Sequence, residues 1–379
     1  MKRRIITILL SVLCMGGLQA NDGVYYTSGN QLIPVKETDI SVKKEILTIS
    51  LQDDGFAKVD VYYEFYNPGS TNKTIVMGFE ADPPYNDDYK FHPDGKHPNI
   101  LDFSVVMNDI PLSCQNAVCP NGLPEGIKPF DMTKFEVDTN AVTSMHSTEI
   151  DTLYVPFSYV YYFNADFKPG INRVHHTYKY KESQSVGVSF EINYKLTPAT
   201  RWANHQIDDF TLIIRADHTA KHFIIGEDVF RGALWTVIEG TGKQRAGTRY
   251  ESDYREFSLR NGAFSWHKTN FKPTDEFSIT SADCIYSFSG TNKFGSFYDR
   301  NSGTGLYMGT GDGTSNQEPQ SSQMRARIAH NLPYAHRGHV FKNIQLKSYF
   351  ESLWWYMPDP NYVDNQSDFT KKDKEYLAY

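Results

Sequence analysis

The chain has 379 residues, a net charge of −7 and four cysteines. The acidic balance argues against nucleic acid as a partner, because phosphate recognition needs a basic face. The length exceeds one typical domain of about 100–150 residues, so more than one folded unit is expected.

The chain opens with "MKRRIITILLSVLCMGGLQA". A basic start, an apolar run from Ile5 to Leu13 and the ending Leu18-Gln19-Ala20 form the pattern of a secretory signal peptide cleaved after Ala20. Leu13 in front of Cys14 is too large for a lipoprotein cleavage site. A secreted chain beginning at Asn21 is therefore expected, periplasmic or extracellular. The apolar run is shorter than the roughly 20 residues a bilayer-spanning helix needs, and no transmembrane segment is expected.

Residues 21–150 read as an N-terminal β-sandwich region. In "KEILTISLQDDGFAKVDVYYEFYN", Leu47, Ile49 and Leu51 share one face and Asp53-Asp54-Gly55 makes a turn. Val59, Val61, Tyr63 and Phe65 return on the matching face, which predicts a half-buried hairpin. "ILDFSVVMND" is a further strand, and the weakly periodic stretch from Pro120 to Ile150 reads as loops. Cys114 and Cys119, in "CQNAVC", are candidates for a small disulfide loop in an oxidising compartment. Cys284 is left over and reads as a small buried hydrophobe.

Residues 151–300 read as a second β-sandwich region. "LYVPFSYVYYFNADFKPGINRVHHTYKYKES" is strand, a Lys168-Pro169-Gly170 turn, then strand. Val188, Phe190, Ile192, Tyr194 and Leu196 alternate along the next strand, and "IDDFTLIIRAD" continues the pattern. In "FSLRNGAFSWHKTNF" the Asn261-Gly262 pair predicts a hairpin turn. Short strands separated by turns indicate a mostly β fold, an antiparallel β-sandwich of one or two units, followed by a small C-terminal α-helical domain.

Residues 301–322 are rich in Gly, Ser, Thr and Gln and read as a flexible linker. Beyond them, Met324, Ile328 and Leu332 fall at helical spacing, as do Leu346, Tyr349, Phe350 and Leu353 after an Asn343 suited to cap a helix. Pro333 predicts either a helix kinked at that point or, the favoured reading, a fresh helix with Asn331 as its cap and Pro333 in its first turn. Thr370-Lys371-Lys372-Asp373 approximates a capping box with Asp in the final place. Residues 323–379 thus form a small α unit, too small to be more than marginally stable alone.

In "NLPYAHRGHVFKN" every member has a structural duty. Gly338 can leave the helix through a left-handed conformation, and His336 and Arg337 complement the helix dipole. His330, His336 and His339 make a poor metal cluster, with no cysteine or carboxylate to complete a tetrahedral set, and no metal is expected. His175 and His176 point to opposite faces of a strand. "SLWWYMPDPNY" gathers Trp354, Trp355 and Tyr356 around two prolines, a composition suited to stacking or anchoring. No nucleophile elbow, zinc-protease or phosphate-loop motif occurs, so neither a catalytic residue nor a cofactor is assigned.

The run "HNLPYAHRGHVFKNIQLKSYFESLWWYMPDPNY" resembles the YARHG domain, an extracellular bacterial module named for its tyrosine-alanine-arginine-histidine-glycine core. Tyr334, Ala335 and Gly338 match that core, with His336-Arg337 in reversed order. Phe341-Lys342-Asn343, Tyr349-Phe350, and Trp355, Tyr356 and Pro358 match its later elements. The region beginning "NDGVYYTSGNQ" also resembles the β-rich segment that precedes this module in related secreted proteins. The resemblance implies a cell-envelope setting and no particular activity. The expected function is non-catalytic binding of a cell-wall polymer, glycan or envelope protein, through His336, Arg337, His339, Trp354, Trp355 and Tyr356. The alternatives are an envelope hydrolase with a site in the β region, and an assembly protein that binds a protein partner.

Overall fold

The computed structural model describes residues 28–34, 38–82, 96–120, 157–185, 188–216, 221–231, 234–249, 252–281, 283–285, 297–299, 305–306 and 322–378. Residues 1–27, 121–156 and most of 301–322, on which the signal-peptide, loop and linker expectations fall, lie outside the described residues.

Twelve principal strands build the β body. In chain order they are β1 (Ser41–Leu51), β2 (Phe56–Asn67), β3 (Lys73–Ala81), β4 (Ile100–Met107), β5 (Phe157–Phe167) and β6 (Gly170–Lys181). The remainder are β7 (Val188–Tyr194), β8 (Ile207–Ala216), β9 (Lys221–Gly226), β10 (Thr236–Arg249), β11 (Ser252–Phe271) and β12 (Phe277–Ser281). The large sheet runs β7-β12-β9-β11-β8-β1-β2-β6-β4, and β10 pairs with β11. A second sheet pairs β3 with β5, flanked by Ile33–Pro34 and Gln115–Pro120.

The hairpin around Gly55 forms as its alternation requires. Leu51 pairs with Ala57 across the turn, and Asp54 Oδ1 accepts from Phe56 N at 3.1 Å. Leu47, Ile49, Val59, Val61 and Phe65 are fully buried. β1 then pairs in parallel with β8, Leu47 beside Leu212 and Ile49 beside Ile214. This pairing joins strands from the two halves of the chain into one sheet. Both sheets contribute to one hydrophobic cluster, from Leu32 through Phe79 and Tyr161 to Ile279.

An N-terminal strap, residues 28–34, threads this core. Gly29 pairs with Tyr194 of β7 and Ile33 with Gly78 of β3, so the strap crosses from one sheet to the other. Its polar groups are met inside: Asn30 Nδ2 donates to Glu80 O at 2.7 Å, and Trp202 Nε1 donates to Leu32 O at 3.1 Å.

Two sequence expectations are corrected in the β body. Asn261-Gly262 does not turn a hairpin; it lies inside the twenty-residue strand β11. The first half of β11 pairs with β9 and the second with β8, while β10 runs along both. Register slips opposite Glu239–Thr241, making a bulge in which the backbones nearly touch. A Cβ on Gly240 would sit 1.7 Å from Asn261 O, and one on Gly262 would sit 2.1 Å from Glu239 O. Glycine is needed there for close approach rather than for reversal. The second correction concerns Cys114, which carries a free thiol donating to Leu112 O at 3.9 Å. Gln115–Pro120 is extended strand, so about 3.3 Å per residue carries Cys119 roughly 16 Å away, far beyond bridging distance. Burial pushes the Cys114 thiol up to about 11.

The C-terminal unit has three α-helices, α1 (Ser322–His336), α2 (Ile344–Ser352) and α3 (Lys371–Leu377), and its own core. Pro333 lies within α1 instead of opening a new helix. Its ring forfeits the bond an N–H would make to Ala329 O, while Ala329, Leu332 and Ala335 around it are buried in the core of the domain. Asn331 donates to Arg327 O at 2.7 Å and caps nothing. Among the described residues no helix is long and apolar enough to cross a membrane.

The bulge makes a contrast between two glycines of positive φ. Gly240→Ala, at φ +66 and against Asn261 O, is expected to cost about 2–4 kcal/mol in thermal unfolding. Gly55→Ala, at φ +80 with open space around it, is expected to cost about 1 kcal/mol, the conformational term alone.

Candidate functional site

The end of α1 is a Schellman motif. Gly338 adopts φ +88, its N–H reaches Ala335 O at 3.0 Å, and His339 N–H reaches Tyr334 O at 3.0 Å. The Tyr334 and His339 rings meet edge to face at 6.0 Å, the side-chain contact that accompanies this motif. Gly338 therefore ends α1 in the left-handed conformation expected of it.

Arg337 turns inward and is buried. It donates to Pro333 O at 3.0 Å, to Asp368 O at 2.9 Å and to Asp373 Oδ2 at 2.7 Å, and it lies 4.2 Å from the centre of the Phe369 ring. Asp373 completes the predicted capping box. Thr370 N donates to Asp373 Oδ2 at 2.9 Å, and Asp373 N donates to Thr370 Oγ1 at 3.1 Å. Burial works to raise the Asp373 carboxyl, but Arg337 and Thr370 outweigh it and hold it below its usual range. Arg337 therefore ties the end of α1 to the start of α3.

Asn343 caps α2, accepting from Gln345 N and Leu346 N at 3.2 Å each. Phe341 stacks on Phe350 at 4.5 Å, with Tyr349 edge-on to Phe350 at 5.2 Å. Trp355 and Tyr356 are buried in the same core, and Tyr356 OH donates to His339 O. His336 lies edge-on to Trp355 at 4.7 Å. His339 is half-buried among Tyr334, Phe341 and Tyr362, and Pro358 is exposed. Of the six residues proposed as a binding surface, Arg337, Trp355 and Tyr356 thus serve the interior. His336, His339 and Trp354 remain half-buried.

The aromatic segment is also where the unit meets the β body. Lys243 Nζ on β10 donates to Trp354 O at 3.4 Å and Tyr356 O at 2.9 Å. Ser258 Oγ on β11 donates to Trp355 O at 2.9 Å, and Arg260 donates to Met357 O at 2.6 Å. Four successive main-chain carbonyls are thereby satisfied by side chains of the sheet. Gly338 takes part as well, because a Cβ there would lie 1.7 Å from the Arg260 guanidinium.

Beneath Trp354 lies a buried ionic group. His222 Nε2 contacts Glu256 Oε1 at 2.5 Å, Arg245 Nε donates to Glu256 Oε2, and Glu256 is almost wholly enclosed. The Trp354 ring covers it, 4.5 Å from the Arg245 guanidinium carbon and 5.5 Å from the His222 ring. Burial would raise the Glu256 carboxyl, but hydrogen bonds from His222 and Arg245 hold it below its usual value. Sequence reasoning missed Lys243, Arg245, Glu256, Ser258 and Arg260. Their alternation with Phe257 and Leu259 shows a strand with one polar face, and such a face ordinarily meets water.

The fold and the docked unit define a β-rich protein that carries a helical domain with its own core at the C-terminal end. Residues 307–379 match the YARHG domain and residues 20–119 match the domain of unknown function DUF4424, so this is a YARHG-domain protein with an N-terminal DUF4424 region. Comparison with curated proteins returns no match. Among solved structures, a Legionella pneumophila protein provisionally described as nutrient-binding superposes with a TM-score of 0.50 at 19% identity, over 94% of this chain and 98% of that one. It shares the fold. An M1 zinc metallopeptidase from Deinococcus radiodurans is far less similar, with a TM-score of 0.26 at 10% identity over 79% of this chain and 54% of that one.

Two outcomes test these roles. Arg337→Met strands the Asp373 carboxylate in a buried site and is expected to destabilise the domain by about 3–5 kcal/mol, read as lost hydrogen-exchange protection in α3. Glu256, with its folded-state pKa depressed, contributes stability above pH 4.5 that disappears as pH falls through the lower folded value. Acid titration followed by tryptophan fluorescence should therefore show a shallower acid limb in Glu256→Gln than in the wild type.

Proposed function

We propose that the protein is a secreted, non-catalytic binding protein of the cell envelope whose YARHG domain meets a wall polymer or glycan. The observation that carries this reading is the mode of docking. The sheet grips the domain mainly through the main-chain carbonyls of Trp354 to Met357, not by covering the rings around His339. Tyr334, His339 and Tyr362 stay half-exposed as one cluster, with ring centres 5.8–6.0 Å from His339. Val340, Lys342 and Val363 beside them in sequence are exposed.

Rings presented edge and face in this way suit stacking on a sugar, and an imidazole with a nearby lysine suits a carboxylate. Peptidoglycan offers both groups. The binding description of the Legionella pneumophila relative supports a binding role in general and leaves the ligand to this chemistry. The candidate surface is accordingly Tyr334, His339, Lys342 and Tyr362; of the six residues expected from the sequence, Arg337, Trp355 and Tyr356 are enclosed, His336 packs on Trp355 and Trp354 covers the Glu256 group.

The test is co-sedimentation of the mature protein with purified peptidoglycan, beside a His339→Ala, Lys342→Ala double variant checked for folding by circular dichroism. Binding by the wild type that weakens about tenfold or more in the variant supports the reading. Undiminished binding by the variant would move the site to the β body. Absence of binding by the wild type would overturn the wall-polymer reading.

A further inference from the structure

The strap that threads the core carries a second, separate feature. Gln31 and Glu45 are both enclosed, at 1% and 0% exposure, and Gln31 Nε2 donates to Glu45 Oε1 at 2.8 Å. The other oxygens of the same two groups, Gln31 Oε1 and Glu45 Oε2, are buried without a hydrogen-bond partner. An amide oxygen and a carboxylate oxygen are both pure acceptors, so with Glu45 ionised neither can satisfy the other. Two orphaned acceptors on an already bonded pair are costly in a dry interior. One proton placed on Glu45 Oε2 removes both deficits.

We propose that Glu45 is a neutral carboxylic acid in the folded protein and donates through Oε2 to Gln31 Oε1, so that acid and amide close a two-bond ring clamping the strap into the core. The charge environment agrees. Glu45 stands opposite Tyr63 in the β1–β2 pair, and the other titratable groups that interact with it are Tyr178 on β6 and Tyr194 on β7. Burial holds all three phenols well above their ordinary values, so none supplies a charge. Lys44, the adjacent cation on β1, faces the other way and pairs with Asp209 at 3.5 Å. Burial, opposed by the Gln31 hydrogen bond, raises the Glu45 carboxyl to about 8.

The clamp makes the strap sensitive to alkali. Below pH 4.5 the acid is neutral in both folded and unfolded chains, and its contribution is fully present. Between 4.5 and about 8 only the unfolded chain ionises there, so the folding constant falls by up to tenfold per pH unit. Above about 8 the ring opens, two acceptors face each other, and the strap loses its lock.

The decisive comparison is urea unfolding of the wild type and Glu45→Gln from pH 5 to pH 9. Glutamine reproduces the neutral acid, with its Nε2 in place of the donating Oε2–H and its oxygen accepting from Gln31. The variant should lose the pH-dependent contribution and be the more stable of the two at pH 8. A variant less stable than the wild type at every pH, pH 8 included, would overturn the proposal. If the variant does not fold, carbon NMR of wild-type protein labelled at glutamate Cδ decides. A carboxyl titrating near 8, later than Glu182, which burial raises only to about 7, supports the clamp. Complete ionisation of every glutamate by pH 6 would sink it.

Discussion

Alternation along the first half of β11 is the constraint on which the rest of the molecule depends. Phe257 and Leu259 point into the β core, while Glu256, Ser258 and Arg260 point to the other side and receive the C-terminal domain. A slip of one residue would exchange the two sets, leaving a carboxylate and a guanidinium in the hydrophobic core and two apolar side chains at the docking face. The bulge opposite Gly240 shifts the phase of β11 by one residue as its partner changes from β9 to β8, so that Phe264 and Trp266 lie in the same core as Phe257 and Leu259. Both the continuity of the sheet and the placement of the domain follow from that strand.

The docking contact recognises main chain more than side chain. Lysine, serine and arginine donors reach consecutive carbonyls, groups every residue carries, and an indole lies over the buried Glu256 with its two basic partners. Such a contact fixes orientation strongly. Removing either partner of the ionic group would leave an unpaired buried charge, whereas the pair together gains little over apolar packing. The group is better understood as setting where the domain sits than as the main source of stability.

The motif that marks the family is a piece of helix-end engineering. Its tyrosine and alanine supply the carbonyls that close the Schellman motif, and its glycine supplies the left-handed residue and the clearance for Arg260. The arginine stands immediately before the glycine, so its side chain turns back under the helix end to reach Asp373. The histidine one place earlier packs on Trp355 instead. With the two basic residues in the reverse of the eponymous order, the inward, ion-pairing duty falls to Arg337. The binding surface we favour lies beside the motif, where the rings around His339 reach solvent.

The hairpin at Gly55, the strands of alternating pattern, the Asn343 cap, the capping box at Thr370 and the glycine exit at Gly338 were all legible in the sequence. Each is decided by residues within a few positions of one another, through steric limits on φ and through the period of apolar side chains. The Asn261-Gly262 pair misled because the same glycine freedom that reverses a chain also permits two backbones to touch, and only the partner strand distinguishes them. Pro333 misled because its local cost, one lost bond and a crowded carbonyl, is set against the packing of Ile328, Leu332 and Ala335 in the domain core, which local chemistry does not show. Tertiary structure alone decided that Arg337 is spent inside the domain, that the polar face of β10 and β11 meets carbonyls rather than water, and that Gln31 and Glu45 meet in the core. Those are contacts between residues far apart in the chain, and local chemistry states what each group needs without naming which distant group will supply it.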